Sequence, residues 1–430
     1  MTDESDIEIF DFSKTPSEKR KIETSFYQSI DCDSLGNGIN LDQLVFTVPP
    51  MSETVFIDTS HTRLYLKIQL TRGSTGSTLT NLMRGDGSTV ETVAKKRVYT
   101  LNHIGPSLIR NIFFKIRHMY VKGVENAGLI SYLRRLTTPD SDNLDKLAGF
   151  YKLDEAGKMD LKTNSSLEKR AIFGEDAQEF VFSIEHPLFL QKKPIPAKDE
   201  LQLILGIQNP QYYLQSFENS LSDGYFTVKI LAAQLHLKFL NLDPSLQKSV
   251  TSQMKRNLNY EINQVDTYDI PLNSNTKEFT KNIFINDICP DSAILLLIDD
   301  SHWSGDYAKN SFNFEKHGLE SIGLLKNGKL IDGHELNASS DVDMYQNLSI
   351  IPDIAKTKLS EIGVHDLSKG YFIMPFLLKH PLDSESANET CNLSASLRFS
   401  SSPPENLHLV AITFRNSIFT LKSDGNFFYD

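Results

Sequence analysis

The sequence predicts an all-β protein built as two β-sandwiches in tandem, and three observations predict it. Apolar and polar residues alternate: Leu64, Leu66, Ile68 and Leu70 face one way, and Tyr65, Lys67 and Gln69 face the other. Leu201, Leu203, Leu205 and Ile207 repeat the pattern. A whole series of such strands then occurs twice. The first half reads DQLVFTVPP, RLYLKIQL, FFKIRHMYVKGV, EFVFSIEHPLF, ELQLILGI and YFTVKILAAQLHLKFL. The second reads NYEINQVDTYDI, AILLLIDD, ESIGLLKNGKLI, GYFIMPFLL, SASLRFSS and LHLVAITFRNSIFTL. Finally, 26 Phe and 15 Tyr against a single Trp, Trp303, suit aromatic sandwich cores.

The elements follow in order. Residues 1–40 are charged, rich in Ser, Asn and Gly, and weakly periodic, which predicts a flexible arm anchored by Phe10 and Phe12. Strands begin near Leu44, and the first sandwich is assigned to 41–243. Within it, TRGSTGSTLTNLMRGDGS (Thr71 to Ser88) is too rich in Gly, Ser and Thr for a strand and predicts an exposed loop. NAGLISYLRRLTTPDSD predicts a short helix ended by Pro139. The polar stretch from Asp142 to Arg170 predicts an insertion at one end of the sandwich. Asp243 and Pro244 start a linker helix in which Leu246, Val250 and Met254 form one apolar stripe. That linker and the second sandwich occupy 244–430.

Composition narrows the function. Apolar residues at 40% describe a globular chain, and its length allows two or three domains. A formal charge of −11 argues against sequence-specific nucleic-acid binding, which draws its affinity from a basic face. Cys32, Cys289 and Cys391 show no C-x-x-C spacing and read as reduced thiols of a protein made inside the cell. The acidic start MTDESDIEIFDF is no secretory signal, and no run has the length of a membrane span. The N-x-S/T sequons at Asn164, Asn337, Asn347, Asn388 and Asn392 are therefore expected to go unused.

Four motifs invite a chemical reading. GLLKNGKL (Gly323 to Leu330) carries the glycines and lysine of a phosphate-binding loop, but Leu330 stands where Ser or Thr would bind magnesium. Asn327-Gly328 between apolar residues reads instead as a two-residue hairpin turn. DDSHWSGD places Asp299, Asp300, Asp306 and His302 close together, as a metal or acid–base site would require. On a loop after AILLLI, such residues more often cap a strand end. The histidines form no H-x-H pair, and His334-Glu335 meets Ala338 where a second ligand should stand, which argues against a metal-dependent cupin. No G-x-S-x-G elbow is present. Catalytic residues, metal ligands and cofactors are thus all expected to be none. The tripeptide Arg84, Gly85, Asp86 is a weak cell-attachment candidate in an exposed Gly/Ser setting.

One stretch carries a family resemblance. SHWSGDYAKNSFNFEKHGLESIGLLKNGKLI resembles a segment of the major capsid proteins of Polinton/Maverick elements and adintovirus-like viruses. Gly305, Asp306, Tyr307, Asn310, Phe312 and Phe314 occupy the positions of that family's G-D-Y-x-x-N-x-F-x-F run. SLEKRAIF with EFVFSIEHPLFLQKKPIPAKDELQLIL, VKILAAQLHLKFLNLDPS, GYFIMPFLL and VAITFRNSIFTLKSDGNFFYD are similar to family segments in the same order. The resemblance implies a hexon-like double jelly-roll of two eight-stranded sandwiches, a homotrimeric pseudo-hexagonal capsomer, an icosahedral virion and a minor or penton capsid partner. It also implies that the arm tethers neighbouring capsomers. Trp303, Tyr307, Phe312, Phe314, Phe427, Phe428 and Tyr429 are the interface candidates, with burial in the chain's own core as the competing reading. Alternatives are a minor or vertex capsid protein, expected to carry one jelly-roll, and a cellular β-sandwich binding module.

Overall fold

The computed structural model describes residues 22–36, 38, 41–72, 77–78, 98–139, 142–170, 177–217, 226–243, 257–331, 333–379, 389–403, 406–422 and 425–429. Sixteen strands carry the architecture. The first eight are β1 (Ile22–Asp31), β2 (Gln43–Val48), β3 (Val55–Arg72), β4 (Ile109–Ile116), β5 (Met119–Glu125), β6 (Gln178–Ser183), β7 (Leu201–Ile207) and β8 (Phe226–Leu242). The second eight are β9 (Leu258–Leu272), β10 (Glu278–Ile288), β11 (Ser292–Asp299), β12 (Leu319–Lys326), β13 (Lys329–Leu330), β14 (Met374–Leu377), β15 (Thr390–Phe399) and β16 (Leu407–Leu421).

Their pairing shows the duplication. In the first half one sheet runs β1-β8-β3-β6 and the facing sheet β2-β7-β4-β5, all antiparallel. In the second half the sheets run β9-β16-β11-β14 and β10-β15-β12-β13. Adding eight to each strand number of the first half reproduces the second. Each half is therefore a sandwich of two four-stranded sheets with one shared order, and the ladders between these strands all stay within one half.

Alternation does place the core. Leu64, Leu66, Ile68 and Leu70 of β3 are at most 2% exposed, and Leu201, Leu203 and Leu205 of β7 are buried between two neighbouring strands. β11 is a central strand, and Ala293 through Ile298 are all buried. One face of β11 meets the sandwich interior and the other is covered by the rest of the chain, so its continuous apolar run has nothing to alternate with. Asn327 and Gly328 both have positive φ, 52° and 79°, and Leu325 pairs Leu330 across them. This is the hairpin read from the sequence, and it leaves no phosphate loop.

Two expectations need correction or restriction. The arm assigned to residues 1–40 contains β1, which pairs with β8 from Ile22↔Leu242 to Asp31↔Gln234. Its sequence IETSFYQSID is too polar to signal a strand; the ladder to β8 supplies the order that local pattern does not. The linker helix drawn from Pro244 through Met254 lies outside the described residues, as does the Arg84, Gly85, Asp86 tripeptide.

The loop helix expected before Pro139 is α1 (Ala127–Thr137), which buries Leu129, Leu133, Leu136 and Tyr132. The polar stretch behind it is not mere decoration. Asp154 Oδ1 accepts hydrogen bonds from Asn164 (2.6 Å), Ser166 and Arg170, and the Asp154–Arg170 ion pair is buried. Tyr371, from the second half, donates its hydroxyl to the Asp154 carbonyl at 2.7 Å. The ion pair organises the loop around Asp154, and the Tyr371 hydrogen bond ties that loop into the contact between the halves.

Candidate functional site: the seam between the barrels

The residues singled out in the second half converge on one place, the contact between its loop 299–315 and the first half. The loop starts at α2 (Asp300–Ser304), capped by Asp299, whose Oδ1 accepts the His302 N–H at 2.9 Å and the Ser301 hydroxyl at 2.6 Å. The cap leaves the His302 ring between two carboxylates: Nδ1 is 2.5 Å from Asp299 Oδ2, and Nε2 is 2.8 Å from Asp160 Oδ2. Asp160 belongs to the first half. Its carboxylate also accepts the Asn310 N–H at 2.7 Å and the Asn313 amide at 2.9 Å.

The electrostatics of this latch are decided by competition. Burial disfavours a charged imidazole, but hydrogen bonds and charge from Asp160 and Asp299 outweigh it and push the His302 pKa up to about 9. Burial likewise opposes the Asp299 carboxylate, yet His302 and Ser301 hold its pKa well below the usual carboxylate range. At neutral pH the cluster is an imidazolium clamped by two carboxylates. Both ring nitrogens donate, so neither lone pair can bind a metal or accept a proton. DDSHWSGD is a structural joint.

The G-D-Y-x-x-N-x-F-x-F residues pin the same joint. Gly305 has φ 93°, and a Cβ there would lie 2.8 Å from the backbone nitrogen of Tyr212, so only glycine fits the approach to the first half. The Tyr307 hydroxyl accepts the Phe226 N–H (3.2 Å) and donates to the Phe226 carbonyl (3.1 Å), and its ring meets Phe226 edge-on. Asn310 turns the chain by accepting the Phe312 N–H at 3.0 Å. Phe312 stacks on Tyr132 of α1, centroids 4.1 Å apart and planes 7° from parallel, and Tyr212 closes it from the side. Phe314 is 0% exposed and its ring lies beside that of Tyr132.

The other aromatic candidates sit nearer the surface. Trp303 is half-buried; it stacks on His408 and donates Nε1–H to Asp269 at 2.9 Å. His408 reaches Asp269 (2.6 Å) and Asp300 (3.2 Å), and the Asp269 hydrogen bond leads in raising its pKa. Phe427–Tyr429 form a short strand on the end of β16, where Phe427 and Tyr429 pack on Phe419. Lys422 lies over the Phe428 ring. The Tyr429 hydroxyl accepts the Lys122 N–H of the first half at 2.9 Å, and burial pushes its pKa up to about 12.

Comparison with known proteins places this geometry. The sequence matches no family model and no curated protein. Solved structures do match: a chain of the Sputnik virophage, determined by cryo-EM, superposes with a TM-score of 0.66 at 11% identity, over 97% of this chain and 90% of that one. The mavirus major capsid protein superposes at 0.55 and 12% identity, covering 97% and 92%. The Faustovirus major capsid protein does so at 0.51 and 8%, covering 94% and 92%. The fold is the double jelly-roll.

Within the double jelly-roll, the interface list must be corrected. Tyr307, Phe312 and Phe314 are at most 4% exposed in a single chain and fill the seam between its own barrels, so they have no surface left for another copy. Trp303, Phe427, Phe428 and Tyr429 stay half-buried. Sequence reasoning missed the first-barrel side of the seam: Asp160, Tyr132 and Lys122. Tyr132 sits in a recognised helix, but no pattern in the polar stretch distinguishes Asp160 from its acidic neighbours. Only its partners, 142 to 153 residues away, do so.

Proposed function

We propose that the chain is a structural major capsid subunit whose copies form homotrimeric, pseudo-hexagonal capsomers of an icosahedral virion. The observation that carries this reading is the pair of complete eight-stranded sandwiches with one strand order, locked side by side by a buried seam. Three copies of two such barrels make a ring of six similar units, which can tile a closed shell. The reading is one of assembly rather than catalysis, because His302 and its carboxylates are spent on holding the barrels together. A minor or vertex capsid protein would need only one barrel, and a second barrel fits the major subunit better.

The finer assignments follow from the same reading. The chain divides at residue 243, between β8 and β9, into a first and a second jelly-roll. The G-D-Y-x-x-N-x-F-x-F run is what supports membership of the Polinton/Maverick and adintovirus-like group. A minor or penton protein would fill the fivefold positions, and residues 1–21 would reach neighbouring capsomers. Synthesis would take place in the host cell and the destination would be the virion. Size-exclusion chromatography with light scattering tests the core of this: the expected mass is three times the 48.6 kDa chain. Electron microscopy should show pseudo-hexagonal capsomers or shells. A stable monomer would refute the proposal.

A further inference from the structure

Resting on the trimer reading above, we propose that the outer edge of β1 is the docking edge for the second barrel of a neighbouring copy. The argument begins with the internal repeat. β1 and β9 hold the same place in their barrels, and each pairs one core-facing aromatic with another: Phe26 opposite Phe239, Tyr260 opposite Phe419. Phe239, Tyr260 and Phe419 are 0% exposed, whereas Phe26 is 42% exposed and its neighbour Tyr27 67%.

The difference lies in what covers the outer flank. β9 is contacted by the first barrel of its own chain, with a cavity of about 510 Å³ between Pro187, Leu190 and Gln191 on one side and Glu261, Ile262 and Asn263 on the other. Lys193 Nζ donates to the Asn259 carbonyl (3.3 Å), the Tyr260 hydroxyl to the Pro194 carbonyl (3.4 Å), and Lys122 pairs with Asp266 at 2.6 Å. Pro187, Leu188 and Ile262 line one narrow crevice in that contact. Beside β1, among the described residues, no strand pairs on the outer flank. A ten-residue edge strand with an open core-facing aromatic is a template for another chain unless something covers it.

The chain carries the opening sequence of that covering turn a second time. The covering turn opens with His186-Pro187-Leu188, three residues after β6 ends at Ser183. His380-Pro381-Leu382 begins three residues after β14 ends at Leu377. β6 and β14 hold equivalent sheet positions, with Ser183 opposite Arg63 of β3 and Leu377 opposite Ser292 of β11. In the first barrel His186 builds the turn: Nδ1 accepts the Leu188 N–H at 3.3 Å and Nε2 donates to the Lys122 carbonyl at 3.1 Å. Burial holds its pKa down, at about 4, so the ring keeps the neutral form this bonding needs. Residues 380–388 lie outside the described residues, but their sequence repeats the covering element at the same spacing.

Each copy therefore has an outer β1 edge with no strand paired to it among the described residues, and a second His-Pro-Leu sequence at the spacing of the first barrel's covering turn. The pairing is head-to-tail, second barrel to the next copy's first barrel, and such a contact closes into a ring when its rotation allows. Gln28 stands where Ile262 does, two residues beyond the aromatic, so the contact between chains is the more polar of the two.

Full-length Phe26→Asp and Leu382→Asp variants test the assignment by light scattering, with circular dichroism confirming the fold. Each is expected to lower the assembled mass about threefold, from trimer to monomer, at micromolar protein. Because Phe26→Asp could unfold β1, a Gln28→Cys/Leu382→Cys chain is also oxidised as a mixture of isotopically light and heavy copies. Mass spectrometry should find the 28–382 linkage between light and heavy chains. A wild-type trimer that survives both Asp changes without that linkage would overturn the docking edge and leave the trimer intact. A monomeric wild type would overturn the trimer reading, and this surface with it.

Discussion

Raising the pH from 6.5 to 9.5 should loosen the seam through His302. Its pKa lies at 6.5 when unfolded and about 9 in the fold, and the side chain is only 4% exposed, so solvent screening removes little of the effect. A pKa raised by folding contributes stability in full below 6.5 and loses it as pH climbs through 9. The shift corresponds to about 3 kcal/mol, lost with a slope near 1.4 kcal/mol per pH unit. With roughly 2.1 cal/mol/K of unfolding entropy per residue over 430 residues, that loss lowers Tm by about 3 °C if both barrels melt together. His408, also raised, titrates in the same direction, so the informative comparison is with His302→Gln. Differential scanning calorimetry of both proteins at half-unit steps is the assay. The wild type should lose about 3 °C more than the variant across this range. Parallel Tm curves would refute the clamped-imidazolium description.

Two further perturbations probe the seam. Phe312→Ala empties the stack on Tyr132 and should cost about 4 kcal/mol in denaturant unfolding, with a loss below about 1 kcal/mol speaking against a packed seam. Gly305→Ala forces a Cβ toward the Tyr212 backbone at a left-handed φ and should cost about 2 kcal/mol, whereas an unchanged midpoint would mean that the loop can withdraw without penalty.

Much of the fold was readable because strand alternation is a local signal. β3, β7 and the Asn327-Gly328 hairpin each announce themselves within a few residues, since a pleated strand must turn alternate side chains inward and a primed turn needs positive φ. β1 shows where this ends. Thr24, Ser25, Gln28 and Ser29 carry no alternation, and their order comes from a ladder to residues more than 200 positions away. The aromatic run Tyr307, Phe312, Phe314 was legible as important but not as to where it points. An aromatic at a contact between barrels reads the same in sequence whether the other barrel belongs to its own chain or to another.

By itself, then, the sequence determined the secondary-structure type, the doubling of the strand series and the poverty of catalytic groupings, because each is written in spacing and composition. Tertiary structure alone decided that Asp160 meets His302, that Phe312 lies on Tyr132, and that, among the described residues, β9 meets the first barrel while β1 has no strand on its outer flank. Those outcomes depend on which distant segments share a surface, and burial and pairing set them only once both barrels have folded and met.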